Sequence, residues 1–158
     1  MAGFLKADIR FFLHLKNHHI MKIAIINGPN LNLLGTRETE IYGAQDFEEF
    51  LDALAMEYPE HELSYGQSNV EGEIVNLLQL FSQEADAIIL NPAGYSHTSV
   101  AIADAIRAIE KPVVEVHISN VHAREPYRHT LLTGAACVGV ISGFGLNGYR
   151  LALEYLLD

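Results

Sequence analysis

Five short apolar runs alternate along the chain with segments whose apolar residues recur at helical spacing. KIAIING, from Lys22 to Gly28, predicts a first strand. Asp46 then stands as an N-cap ahead of Phe47, Phe50, Leu51 and Leu54, which share one helix face. HELSYGQS predicts a second strand, polar enough for a sheet edge. Ser68 and Glu71 carry a capping-box signature before Ile74, Leu77, Leu78 and Phe81. DAIILNP predicts the third strand, and a helix follows from about Thr98 to Ile109 with Val100, Ala103 and Ile106 inward. PVVEVHIS and CVGVISG predict strands four and five. LNGYRLALEYLL closes as a helix with Leu146, Tyr149, Leu153 and Leu156 on one side.

Strands alternating with helices imply an α/β domain, with a parallel sheet, helices on both faces and right-handed crossovers. Five strands suit a flavodoxin-like order of 2-1-3-4-5, formed by a single domain over residues 21–158. Residues 1–20 read as an extension that carries no chemistry. Asp8, Arg10 and Lys16 interrupt its apolar residues, which leaves too short a core for a signal peptide. A short amphipathic arm docking on a neighbouring subunit is the alternative. Ligands of open α/β sheets bind outside the carboxyl ends of the strands, near the switch point between strands one and three. Three polar segments fall there: Asn27 to Gly43, NPAGYSH and HISNVHAREPYRH. The first is far longer than the ~2–6 residues usual for a strand-to-helix loop, so it needs a function.

Strand four departs from expectation, because a buried parallel strand should read as nearly continuous apolar sequence. Glu115, His117 and Ser119 fall at alternate positions and so point to one face. A carboxylate beside an imidazole fixes its tautomer, which suits a general acid; a satisfied core pair is the plainer reading. Arg37 and Tyr42 lie in the long loop, as a surface Arg and an anchoring Tyr or as parts of a lid beside a cleft. A tyrosinate base would need its pKa brought from about 10 to ~7, or ~4 kcal/mol of differential stabilisation. A guanidinium in a dry site is a group that supplies it. Arg124 and Arg128 suit a carboxylate, gripped bidentately, or are loop charges. Asn30, Asn91 and His97 stand at loop starts, where they can bind hydroxyls; Asn30 and Asn91 equally suit turn caps, and His97 a helix start.

The chain has 158 residues and a net charge of -10, which disfavours nucleic acid but leaves room for a small anion held by a few Arg residues. No apolar run approaches the ~20 residues of a membrane span. The single Cys, Cys137, sits in an apolar run and reads as buried and structural, in keeping with a reducing cytoplasm. No zinc spacing joins His97, His117 and His122, and neither a dinucleotide nor a nucleotide-triphosphate loop is present. Of the four lysines, Lys6 and Lys16 are in the extension, while Lys22 and Lys111 lie at the amino ends of strands. None is placed for a Schiff base, so chemistry on a ketone would run through an enolate.

NGPNLNLLGTRETEIYG, QSNVEGEIV, ILNPAGYSHTSVAI and VEVHISNVHAREPYR together resemble type II 3-dehydroquinate dehydratase from about Met21 onward. Thr39 stands where that family's pattern has Pro. The resemblance implies a flavodoxin-like subunit built into trimers, commonly four to a dodecamer. It implies trans-dehydration of 3-dehydroquinate through an enolate, with no cofactor and no metal. By matching motif, Tyr42 resembles the base, Arg37 the cation that acidifies it, His117 the general acid and Glu115 its orienting partner. Asn30 resembles the residue that stabilises the enolate through a water. Asn91, His97, Ile118, Ser119 and Arg128 resemble the substrate-binding set, and Asp104 a contact reaching in from an adjacent subunit. A non-enzymatic module on this scaffold, or a different lyase, are the competing readings.

Overall fold

The computed structural model describes residues 19–35 and 46–158. Five parallel strands, Lys22–Asn27 (β1), Glu62–Gln67 (β2), Ala87–Asn91 (β3), Val113–His117 (β4) and Gly139–Ser142 (β5), form one sheet in the order β2-β1-β3-β4-β5. This is the flavodoxin-like order expected from the alternation of strands and helices. β1, β3 and β4 are the interior strands, and all but the first residue of β1 are buried along their length. β2 and β5 are the half-exposed edges.

Alternation within β1 divides the core into two layers. Ile23 and Ile25 pack under Phe47–Glu57 (α1) and Asn147–Leu157 (α4) through Phe50, Leu54, Tyr149 and Leu153. Ala24 and Ile26 pack under Glu71–Glu84 (α2) and Val100–Ala108 (α3) through Ile74, Leu78, Ile102 and Ile106. Asp46 caps α1, its carboxylate accepting from the Glu48 amide at 2.9 Å.

Three local expectations need correction. α3 starts at Val100 because the Ser99 hydroxyl accepts from the Ile102 amide and sets the N-cap there. That phase turns Val100 to solvent and puts Ile102 and Ala105 in the core beside Ala103 and Ile106. The capping partner of Ser68 is Glu73 rather than Glu71. Val70 is the N-cap of α2, so Glu73 is the third helical residue and its carboxylate accepts from the Ser68 hydroxyl, whose oxygen accepts from the Val70 amide. Cys137 is half-buried, not enclosed, because it sits in the loop leading to the β5 edge. Lys22 and Lys111 stand at the amino ends of β1 and β4, as expected.

At the other end of the sheet, the backbone turns sharply after β1. The Gly28 amide donates to the Asn91 carbonyl at 2.8 Å. A Cβ at position 28 would stand 2.6 Å from the Pro92 carbonyl oxygen, so only glycine lets the β1 and β3 ends close up.

Candidate active site

Each interior strand ends on a buried polar residue: Asn27 on β1, Asn91 on β3 and His117 on β4. Beyond these ends opens a cavity of ≈ 220 Å³. The segment after β1 contributes Asn30, the segment after β3 contributes Ala93 and His97, and the segment after β4 contributes Ile118, Ser119 and Arg128. Asn91 and His117 complete the predicted set on its walls. Asp104 is elsewhere: it lies on the outer face of α3, exposed, paired with Arg107 at 3.1 Å. Arg37 and Tyr42, with Thr39, lie outside the described residues.

Two walls use backbone that L-residues rarely adopt. Asn30 has φ 67° and Ala93 φ 51°. Left-handed backbone at a non-glycine residue costs on the order of 1–3 kcal/mol and persists where surrounding contacts fix it. Here the Asn30 amide donates to Asn69 Oδ1 at 2.9 Å, and the Ala93 amide donates to Asn91 Oδ1 at 3.2 Å.

The centre of the site is a hydrogen-bonded carboxylate–imidazole pair from one face of β4. Glu115 is fully buried, and His117 Nε2 donates to its Oε1 at 2.7 Å. That bond keeps the Nε2 proton on the ring, pointed at the carboxylate, and leaves Nδ1 as the ring nitrogen for the cavity. His97 is held the opposite way. Its Nδ1 donates to the Thr130 carbonyl at 3.0 Å, which leaves Nε2 for the cavity. The two rings lie 6.1 Å apart between centroids and within 20° of parallel.

On the far wall, Arg124 Nη1 donates to Ser119 Oγ at 3.3 Å. Arg128 Nε donates to Glu125 at 2.8 Å and its guanidinium lies over the Tyr127 ring, 5.2 Å from the centroid. A hydrogen bond from its own backbone amide, and another from the Arg128 guanidinium, hold the Glu125 carboxyl down to about 2. Arg124 and Arg128 share the Glu125 carboxylate, at 3.4 and 2.8 Å. Two guanidiniums against one carboxylate still leave this wall net positive in an otherwise acidic chain, suited to an anionic guest.

Comparison with known proteins shows the family. Residues 21–157 match the family model described as dehydroquinase class II. The chain belongs to the class II dehydroquinase family. Among its relatives, the 3-dehydroquinate dehydratase of Fusobacterium nucleatum subsp. nucleatum is 53% identical over 144 residues, which are 87% of this chain and 97% of that protein. The 3-dehydroquinate dehydratase of Clostridium perfringens is 52% identical over 139 residues, covering 86% of this chain and 96% of that one. The crystal structure of type II dehydroquinase from Butyrivibrio crossotus superposes with a TM-score of 0.85 at 41% identity, over 88% of this chain and 99% of that one.

Several polar groups of this class II dehydroquinase were not singled out from its sequence. Tyr149, on α4, is fully buried, and its hydroxyl donates to Asn27 Oδ1 at 2.7 Å while accepting from Asn91 Nδ2 at 2.8 Å. Burial drives its phenol far above the ordinary tyrosine range, so it stays neutral. Desolvation likewise raises Tyr65 and Tyr58. None of these three is suited to act as a tyrosinate base. Ser96 and Thr133, both fully buried, reach the Glu115 carboxylate from the segments after β3 and before β5.

Proposed function

We propose that the chain is a 3-dehydroquinate dehydratase, converting 3-dehydroquinate to 3-dehydroshikimate by trans-elimination through an enolate, without metal or cofactor. The observation that carries this reading is His117 on the cavity wall, oriented by a buried carboxylate, at the carboxyl end of an interior strand. Family membership supports the substrate, and the cationic wall supports a carboxylate-bearing one.

In this mechanism Tyr42, ionised beside Arg37, takes the proton alpha to the ketone, and the C–H electron pair enters the enolate. Asn30 stabilises that enolate through a water. Collapse of the enolate breaks the C–O bond while His117 protonates the departing hydroxyl, so water leaves and the conjugated enone forms. Two groups of opposite role, one base and one acid, meet the demands of the two proton transfers. Glu115 holds the His117 ring. Asn91, His97, Ile118, Ser119 and Arg128 bind the substrate, and the long loop closes over it to exclude water. Asp104, exposed on α3, contacts the substrate of an adjacent subunit within a trimer-based dodecamer. The enzyme works in the cytoplasm, in aromatic biosynthesis by the shikimate pathway or in quinate breakdown. Among the described residues no lysine is placed for an imine: Lys22 and Lys111 are at the opposite end of the sheet.

The test adds 3-dehydroquinate to the purified chain and follows the ultraviolet absorbance of the enone. Absorbance should rise with the native chain and fail to rise with His117→Ala, and borohydride with substrate should leave activity intact. No signal from the native chain, or inactivation by borohydride, would defeat the reading.

A further inference from the structure

A buried carboxylate is costly unless both oxygens are paired. Glu115 Oε1 accepts from Ser96 Oγ at 2.6 Å and from His117 Nε2 at 2.7 Å, and Oε2 accepts from Thr133 Oγ1 at 2.5 Å. The remaining titratable neighbour is Cys137, whose Sγ lies 3.9 Å from Oε2; burial and the carboxylate push that thiol up, so it stays neutral. The terminal torsion of a Glu side chain is intrinsically broad. Two hydroxyls, one on each oxygen, remove that freedom. Neither hydroxyl can swing to water, because Ser96 and Thr133 are fully enclosed. Their backbones are also joined, the Leu132 amide donating to the Ser96 carbonyl at 2.7 Å.

We propose that Ser96 and Thr133 are positioning residues for the reaction, clamping the Glu115 carboxylate so that His117 keeps Nε2–H on it and turns Nδ1 to the substrate. The proposal rests on His117 being the proton donor of the function proposed above. The two hydroxyls touch neither substrate nor His117. They act by fixing the plane of the carboxylate that fixes the ring.

The experiment uses the full chain and four forms: native, Thr133→Val, Thr133→Ser and Ser96→Ala. Thr133→Val keeps the volume and deletes the hydroxyl; Thr133→Ser keeps the hydroxyl. With 3-dehydroquinate, Thr133→Val should lower kcat by about tenfold or more, the scale of one hydrogen bond to a charged group, and leave KM within about twofold. Thr133→Ser should recover most of that kcat. Nitrogen-15 NMR of the imidazoles should show the His117 Nε2–H hydrogen-bonded to the carboxylate in the native chain and in Thr133→Ser, with Nδ1 left to carry the proton given to the substrate. In Thr133→Val its Nε2–H resonance should shift or broaden.

A Thr133→Val chain with native kcat and a native His117 signal overturns the proposal. So does equal impairment of Thr133→Val and Thr133→Ser, which would make the side chain's shape, not its hydroxyl, the cause. Should Thr133→Val fail to fold, Ser96→Ala carries the same expectations for kcat, KM and the His117 signal. A native chain inactive on 3-dehydroquinate defeats the functional reading alone, and the His117 signal then decides the clamp by itself.

Discussion

Tyr149→Phe removes one oxygen atom and tests how the cavity floor is held. In the native chain the Tyr149 hydroxyl donates to Asn27 Oδ1 and accepts from Asn91 Nδ2, all three residues buried. The substitution leaves the ring in place against Phe47, 5.1 Å away in an edge-to-face arrangement, so packing is little changed. What changes is that an amide oxygen and an amide N–H lose their partners together. Each stranded buried group costs ~1–3 kcal/mol, and relaxation recovers part of it, so about 2–4 kcal/mol of stability should be lost. Urea unfolding measures this directly: the midpoint should fall while the slope with denaturant stays constant. The pH dependence gives a second reading. The phenol is raised by burial in the folded chain and returns to about 10 when unfolded. Its contribution to stability is therefore complete below that value and lost as pH rises above it, at about 1.4 kcal/mol per pH unit. Tyr149→Phe should make the alkaline slope shallower by that amount, leaving the part due to the other raised groups. A stability change under about 0.5 kcal/mol would refute the reasoning, since it would mean the two amides are satisfied without the hydroxyl.

Tyr42→Phe should abolish turnover while substrate still binds in equilibrium dialysis; near-normal kcat would exclude Tyr42 as the base. Arg37→Ala should move the pH optimum upward or lower kcat, because Tyr42 then ionises less readily, and a pH–rate profile will show which. Gly28→Ala drives a Cβ to within 2.6 Å of the Pro92 carbonyl oxygen, so it should cost about 1–3 kcal/mol in urea unfolding. Because the displaced backbone carries Asn91, KM should rise too; an unchanged KM would separate the turn from the cavity.

The elements were legible because period and burial agree in them. Interior strands such as AIIL in β3 are apolar on both faces, and edge strand β2 is mixed. Glu115 and His117 were legible for the opposite reason: polar residues inside a strand enclosed on both sides demand an explanation. Val100 misled because an amphipathic stripe fixes a helix face only once its first residue is known, and Ser99 sets that. Tyr149 was placed correctly on the inner face of the last helix, but its ring looks like any core aromatic, and its hydroxyl bonds are made across 122 and 58 positions of sequence. Thr133 lies in a loop with no periodicity, 18 positions from the carboxylate it meets, so nothing local announced it.

The walls of the cavity, among the described residues, are complete by Arg128. Residues 129–158 add no wall, yet they supply Thr133 to Glu115 and Tyr149 to both strand-end asparagines. During synthesis every wall residue has emerged before either support has. A nascent chain halted at residue 128 would hold the groups that face the guest and lack Thr133 and Tyr149, two of the groups that support them. The full set of supports is therefore assembled only with the last fifth of the polypeptide, as a consequence of chain order.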